Sequence, residues 1–216
     1  MKFSYLRALA ALVLGVALSA CGGKASFDVS GVFVDTLGHS QAVPNSGMIL
    51  TDNGGDDISI PAGATSFTFP HRLSYGDNYD VEFKQQPDHM TCSFTNFNTG
   101  SAGHTISISV SITCAQNTYT LGGTATGLAN CPAPTSDIPY CLTVTNGTTG
   151  GTFNITKPAD GTDNAPFTFA SPVRDGDSYG VTVLTQPANM NCTVANGAGI
   201  MHDANVGNVL VTCVPK

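Results

Sequence analysis

The chain has 216 residues and a formal charge of −7, with charged side chains at only 11% and no tryptophan. A hydrophobic fraction of 41% is too high for a disordered chain. Eight Lys and Arg residues against 15 acidic ones leave no clustered cations for nucleic-acid phosphates, so nucleic acid is excluded as a partner.

The N-terminus reads as an address. Lys2 and Arg7 precede an apolar run from Ala8 to Ala20, shorter than the roughly 20 residues a membrane-spanning helix needs and of signal-peptide form. The run ends Leu18-Ser19-Ala20-Cys21, followed by Gly22-Gly23. This tetrapeptide resembles the lipobox of bacterial lipoproteins. The resemblance implies cleavage before Cys21 and acylation of Cys21, with residues 1–20 as signal peptide and 21–25 as acylated Cys and short linker. Palmitate-type chains on one residue anchor stably where a single chain does not. Gly22, in place of the Asp that marks inner-membrane retention in enteric bacteria, implies the outer membrane, with the periplasmic or surface face left open. The alternative is an ordinary secretory signal that leaves Cys21 as a free thiol. Loss of Lys2 and Arg7 would leave six basic residues against 15 acidic ones, a net −9. Fourteen of those acids are Asp, which favours turns, and the one Glu is Glu82.

The remainder matches itself when displaced by 100 residues. Positions 65–96 and 165–196 share 12 identities in 32 without a gap, including Phe67/Phe167, Phe69/Phe169, Tyr79/Tyr179, Cys92/Cys192 and Asn96/Asn196. The register then slips by one, placing Cys114 over Cys213. Phe27-Asp28-Val29-Ser30-Gly31 resembles Tyr119-Thr120-Leu121-Gly122-Gly123 in the same way. Two repeats follow, 26–116 and 117–216.

Within each repeat the local signal is strand. Phe67/Phe69 and Phe167/Phe169 are short alternations. Tyr79, Val81 and Phe83 alternate, as do Tyr179, Val181 and Val183. From Thr105 to Cys114, Ile106, Ile108, Val110, Ile112 and Cys114 fall on one face. Turn clusters such as Asp52-Asn53-Gly54-Gly55 and Asn146-Gly147 separate them. Short strands at this spacing predict an all-β chain: two tandem Ig-like antiparallel β-sandwich domains after the signal.

Six cysteines remain after Cys21, an even number in an exported chain, and six allow 15 pairings. The repeat singles out Cys92–Cys114 and Cys192–Cys213, leaving Cys131–Cys141. Residue numbers opposed in an antiparallel hairpin have a constant sum. Cys92 with Cys114 gives 206, as do Phe94 with Ile112 and Asn96 with Val110; Cys192 with Cys213 gives 405, as does Val194 with Val211. Cysteine and apolar side chains thus share a face in both copies. Reduced thiols binding zinc are disfavoured, since no Cys-x-x-Cys occurs.

The shared pattern of Tyr79, Val81, Gln86, Pro87, Cys92, Phe94, Asn96 and Cys114, and of Tyr179, Val181, Gln186, Pro187, Cys192, Val194, Asn196, Val211 and Cys213, resembles roughly 90-residue Ig-like modules. Such modules are found in tandem in Gram-negative surface proteins and lipoproteins. The resemblance covers nearly all of 25–214 and implies fold and location, not activity. Copy one departs at Asn96-Phe97, where copy two has Asn196-Gly197. Copy two adds the Cys131–Cys141 segment with Pro132, Pro134 and Pro139.

Candidate chemistry is sparse. His39, His71, His89, His104 and His202 are scattered, in no hydrolase or metalloprotease motif, so no catalytic residue is assigned. His89 has only Asn189 as its counterpart. The best metal candidate is Asp52, Asp56 and Asp57 in one loop, offering carboxylates to Ca²⁺, against the alternative that Asp in turns bonds its own backbone. Asp175 and Asp177 flank Gly176 in a second such turn. Tyr140 and Tyr75 are candidate exposed rings for a glycan. No cofactor is expected beyond that Ca²⁺. The expected role is a lipid-anchored cell-envelope module for structure or adhesion, not an enzyme. Its expected partners are the membrane through the anchor and an unidentified protein or glycan. A calcium- or glycan-binding module is the second reading and a hydrolase the third.

Overall fold

The computed structural model describes residues 25–131, 140–148, 150–159 and 162–216. Residues 1–20, read above as a signal peptide, Cys21 and the prolines between Cys131 and Cys141 lie outside the described residues.

Eight strands come first: β1 (Ser26–Phe33), β2 (Met48–Asp52), β3 (Asp56–Ile60), β4 (Ser66–Ser74), β5 (Asn78–Gln85), β6 (Met90–Phe94), β7 (Thr99–Ser101) and β8 (Ile108–Gln116). Ten follow: β9 (Thr118–Tyr119), β10 (Leu121–Thr126), β11 (Leu142–Asn146), β12 (Thr152–Ile155), β13 (Ala165–Thr168), β14 (Val173–Arg174), β15 (Ser178–Thr185), β16 (Met190–Ala195), β17 (Ala198–Ile200) and β18 (Val206–Pro215). Helix among the described residues is confined to a 3₁₀ turn at Leu128–Asn130.

The first set forms sheets of order β4-β1-β8-β6 and β3-β2-β5-β7; the second forms β13-β10-β18-β16 and β12-β11-β15-β17. The order is the same in both sets; the two-stranded ribbon of β9 and β14 pairs Tyr119 with Val173 as β1 and β4 pair Phe27 with Leu73. Each set is an Ig-like β-sandwich. By spatial clustering the chain divides into two compact units. One is the described part of Met1–Gln86 with Ser93–Thr113; the other is Pro87–Cys92 with Cys114–Lys216. The division therefore falls within β6 and β8.

The sandwich is antiparallel except at one pair in each set. Strand β1 runs parallel to β8, and β10 parallel to β18. The paired strands stand at opposite ends of a repeat, and only such a long connection can bring two strands together in parallel. The alternating pattern also starts later than its sequence suggests. Ile108, Val110 and Ile112 are buried, but Ile106 is 100% exposed. Ile106 precedes the first residue of β8, and alternation alone does not mark where pairing begins.

Each interior is built on the same aromatic corner. Phe67 and Phe69 meet edge to face at 5.9 Å and 89°, and Phe167 and Phe169 at 6.0 Å and 89°. All four rings are buried. Full burial of such a ring stabilises by roughly 1.5–3 kcal/mol. An aromatic pair adds about 0.5–1.5 kcal/mol beyond that. The tyrosines on β5 and β15 have another task. Tyr79 lies across from Gly100 and Tyr179 across from Gly199. A Cβ on either glycine would stand 2.7 or 2.6 Å from the tyrosine hydroxyl, so each ring covers a bare strand position.

The three disulfides join Cys92 to Cys114, Cys131 to Cys141 and Cys192 to Cys213. The opposed pairs Cys192/Cys213 and Val194/Val211 carry the expected register. In copy one the Thr95 N–H donates to Ser111 O at 2.8 Å, the register shared by Cys92 and Cys114. Copy two holds the approach to β16 with Gln186. Its amide accepts from Cys192 N at 2.8 Å and donates to Cys192 O at 2.7 Å, standing in for a strand neighbour. The turns after the two Cys strands differ as their sequences do. Asn196 adopts a left-handed φ of 56° before Gly197. Both asparagines stitch to the partner strand, Asn196 through Asn208 O (3.3 Å) and Asn96 through Ser109 O (2.8 Å) and Ser111 N (2.7 Å), while Phe97 stands 87% exposed.

The matched glycines Gly31 and Gly123 explain themselves at the parallel pairs. A Cβ on Gly31 would overlap Val110 O and the Phe67 ring, and one on Gly123 would overlap Val209 O. Gly123→Ala is expected to cost about 1–3 kcal/mol in urea denaturation, as overpacking does. Gly207→Ala on β18 meets nothing within 4 Å. It should stay within about 0.5 kcal/mol, like other exposed changes. Equal effects from the two variants would contradict the close-approach account.

Candidate functional site

The loop between β2 and β3 turns on left-handed Asn53 and Gly54 (φ 50° and 67°), which brings Asp52 and Asp56 opposite one another. The three carboxylates proposed for calcium are nevertheless engaged separately. Asp52 is buried, and its Oδ1 accepts the Asp80 N–H at 2.9 Å. Asp56 pairs with His71 Nδ1 at 3.0 Å. Asp57 pairs with Lys84 of β5, reaching across β2, which holds its carboxyl below the ordinary carboxylate range. The fold uses these side chains to fasten the hairpin and does not converge them as a group of three metal donors. Burial pushes the Asp52 carboxyl above its ordinary range, against the Asp80 N–H, with Asp56 adding repulsion. Copy two places Asn146 here, and its Oδ1 accepts the Gly180 N–H at 2.8 Å.

Tyr140 is half-buried beside the Cys131–Cys141 disulfide, and Tyr75 is 70% exposed. A cleft of about 700 Å³ in the second unit is lined by Asn146, Gly147, Arg174, Asp177 and Tyr179 among others, and by no histidine.

Four histidines stand beside carboxylates: His39 by Asp35 (3.2 Å), His71 by Asp56 (3.0 Å), His89 by Asp175 (3.1 Å) and His202 by Asp203 (3.4 Å). One of these carboxylates differs from the rest. The Asp175 side chain is 0% exposed, while those of His89 and His202 are 39% and 74% exposed.

His89 belongs to Pro87–Cys92, in the second unit with Asp175 and His202. Donor atoms of the three side chains all lie within 4.8 Å of one another, the one such grouping of three among the described residues. Asp175 is held by its own backbone: its N–H donates to Asn117 O at 3.0 Å, and its O accepts from Gln116 Nε2 at 3.0 Å. Its Oδ1 accepts the Asp203 N–H at 3.2 Å. Its buried Oδ2 lies at ion-pair distance, 3.1 Å, from His89 Nδ1 and accepts no hydrogen bond. Burial pushes the Asp175 carboxyl up, yet the Asp203 N–H and the His89 ring outweigh it and hold the carboxyl below its ordinary range. Burial also pushes the nearby Tyr119 phenol up, reinforced by Asp175 and Asp203.

The cluster has no equivalent in copy one, and the backbone makes the comparison direct. Gly76 N–H donates to Ala102 O and Ala102 N–H to Asp77 O; Gly176 N–H donates to Met201 O and Met201 N–H to Asp177 O. Positions 175 and 202 thus correspond to Tyr75 and Gly103, where the Tyr75 ring occupies the space a Gly103 side chain would need. The departure of His89 from Asn189 and of Asp175 from Tyr75 was the available signal in the sequence. It pointed away from a site only because the three residues are far apart in the chain.

No protein-family model matches the chain, and no curated protein matches it. Solved structures do. The TIE protein of Bacillus anthracis aligns with 88% of this chain at 12% identity and a TM-score of 0.47. This chain spans 34% of that protein's length. The shaft pilin SpaA of Lactobacillus rhamnosus GG aligns with 89% of this chain and 98% of its own at 10% identity, TM-score 0.29. A single B repeat unit of the collagen-binding surface protein of Staphylococcus aureus aligns with 90% of this chain and all of its own at 12% identity, TM-score 0.27. Similarity at this level carries no information about activity or partner.

The raised Asp52 carboxyl gives a signed expectation. A carboxyl that protonates more readily folded than unfolded detracts from stability above its folded pKa and not below its unfolded one. Asp52→Asn, the residue copy two already carries, should therefore match or exceed the parent melting temperature at pH 7. The advantage should close as pH falls below about 4. A lower melting temperature for the variant at pH 7 would contradict the assignment.

Proposed function

We propose that the protein is a lipid-anchored module of a Gram-negative cell envelope, held at the outer membrane by Cys21, in which two tandem Ig-like sandwiches serve a structural or adhesive role without catalysis. The division of the seven cysteines carries this reading. Six are joined in three disulfides, which fits an oxidising, extracytoplasmic compartment. The seventh falls at the end of Leu18-Ser19-Ala20-Cys21, after an apolar segment of signal form. Nothing in the sandwich requires Cys21 as a thiol, whereas the lipobox gives it a task.

Two further features support a binding or spacer role. Serine, threonine and asparagine recur on the exposed strand faces, and charged side chains are few in the chain. Sandwich loops are the usual recognition surface of such modules, so an unidentified protein or glycan would meet the turns.

Cys21→Ala is expected to move the protein from the outer-membrane fraction to soluble fractions and to abolish labelling by a palmitate analogue. Unchanged fractionation with no labelling of the parent would overturn the anchor. Protease treatment of intact cells then decides which face carries the sandwiches: digestion indicates the surface, and protection the periplasm.

A further inference from the structure

We infer that His89, Asp175 and His202 form a binding site for a divalent zinc-type metal ion. The inference does not rest on the membrane anchor; it stands on the chemistry and placement of three side chains in the second unit.

The donor set selects the ion. Two imidazoles and one carboxylate suit zinc and its neighbours, whereas calcium requires six to eight oxygens. The three donors come from separate turns, before β6, after β14 and before β18, and lie within 4.8 Å of one another. Ligands around a tetrahedral zinc at about 2.0–2.2 Å stand somewhat over 3 Å apart. His89 Nδ1 and Asp175 Oδ2 already do, at 3.1 Å. His202, 74% exposed, has the rotamer freedom to close the remaining gap.

The buried carboxylate is the second, independent observation. Asp175 Oδ2 is shut from solvent and accepts no hydrogen bond, with His89 Nδ1 beside it at 3.1 Å. A cation seated there would give this oxygen the partner that hydrogen bonding does not. The surrounding bonds are those that preorganise a metal carboxylate: the Asp203 N–H on the other oxygen, and the Asn117 and Gln116 bonds that fix the Asp175 backbone. His39 and His71 lack this arrangement. Their side chains are 73% and 81% exposed, and each faces a carboxylate on which no third donor converges.

Comparison between the copies strengthens the case. The turns that carry Asp175 and His202 keep the backbone bonds of their copy-one equivalents, so the fold did not demand a change there. Copy one fills the same positions with an aromatic ring over a glycine, a packing solution. Copy two fills them with two ligand types and draws a third from residue 89, where copy two's own equivalent is Asn189. An ordinary ion pair would need two of these residues, not three.

The test is calorimetric titration of the untagged, disulfide-intact, full processed chain with Zn²⁺ alone, after chelator treatment. One ion per chain is expected, with a Kd below about 10 µM, and zinc should raise the melting temperature by several degrees. His202→Ala, at an exposed position, should fold like the parent in chelator yet bind at least tenfold more weakly and lose the zinc-dependent rise. Asp175→Asn and His89→Asn should do the same, while His71→Ala should bind like the parent. Absence of binding up to millimolar zinc would overturn the assignment, as would binding that His202→Ala leaves unchanged.

Discussion

The constraint on which the rest depends is the covalent tie between the first and last strands of the Cys hairpin. A slip of one residue along a strand sends every side chain to the opposite face. A disulfide between directly opposed cysteines forbids that slip. With Cys192 fixed against Cys213, Val194 must face Val211, and β18 enters the centre of its sheet in a single register. The parallel neighbour β10 then reads its own position from β18, and β13 from β10. The Phe167 and Phe169 rings reach the core through this sequence of registers. A chain with so few charges and no tryptophan has little else to specify alignment between strands.

That dependence explains what was legible in the residues alone. The Cys–apolar alternation and the constant index sums contain the register of both hairpins, because register and covalent pairing are the same information. The duplication contains the strand order for a similar reason, since each equivalent element meets an equivalent neighbour. The parallel pairing of β1 with β8 was not legible. It joins strands at opposite ends of a repeat, and no local pattern records direction. Its trace was the recurrence of Gly31 and Gly123, which could not be interpreted until the carbonyls of Val110 and Val209 were seen against them. Ile106 failed for a simpler reason: alternation continues into a turn that has no partner strand to bury it.

The acidic loop shows how neighbours in the chain part company on a hairpin. Asp52, Asp56 and Asp57 are near neighbours in the chain, and proximity in sequence suggested a common ligand. On a hairpin, adjacent residues point to opposite faces. Asp56 and Asp57 therefore separate to His71 and Lys84, and Asp52 turns inward to the Asp80 N–H. His89, Asp175 and His202 are the reverse case, distant in the chain and together in space. A β-sandwich favours the second kind of cluster, because its turns gather at the ends of the sheets while neighbours within a strand diverge.

Duplication makes that distinction usable. Where the copies agree, at the paired phenylalanines, the tyrosines over glycine and the Cys hairpins, the shared residues serve the shared fold, so agreement identifies structure rather than activity. Where they differ while the backbone bonds stay the same, folding does not supply the reason for the difference. Asp52 and Asn146 differ in this way, and both accept the same backbone N–H, so the exchange is neutral to the architecture. Tyr75 with Gly103 and Asp175 with His202 differ more deeply, since a ring packed over bare backbone has given way to a carboxylate and an imidazole. Burying an ionisable group where the related copy packs a ring is a cost the sandwich does not require. Residues with a task other than folding at this end of the second unit therefore stand at the positions the repeat did not preserve.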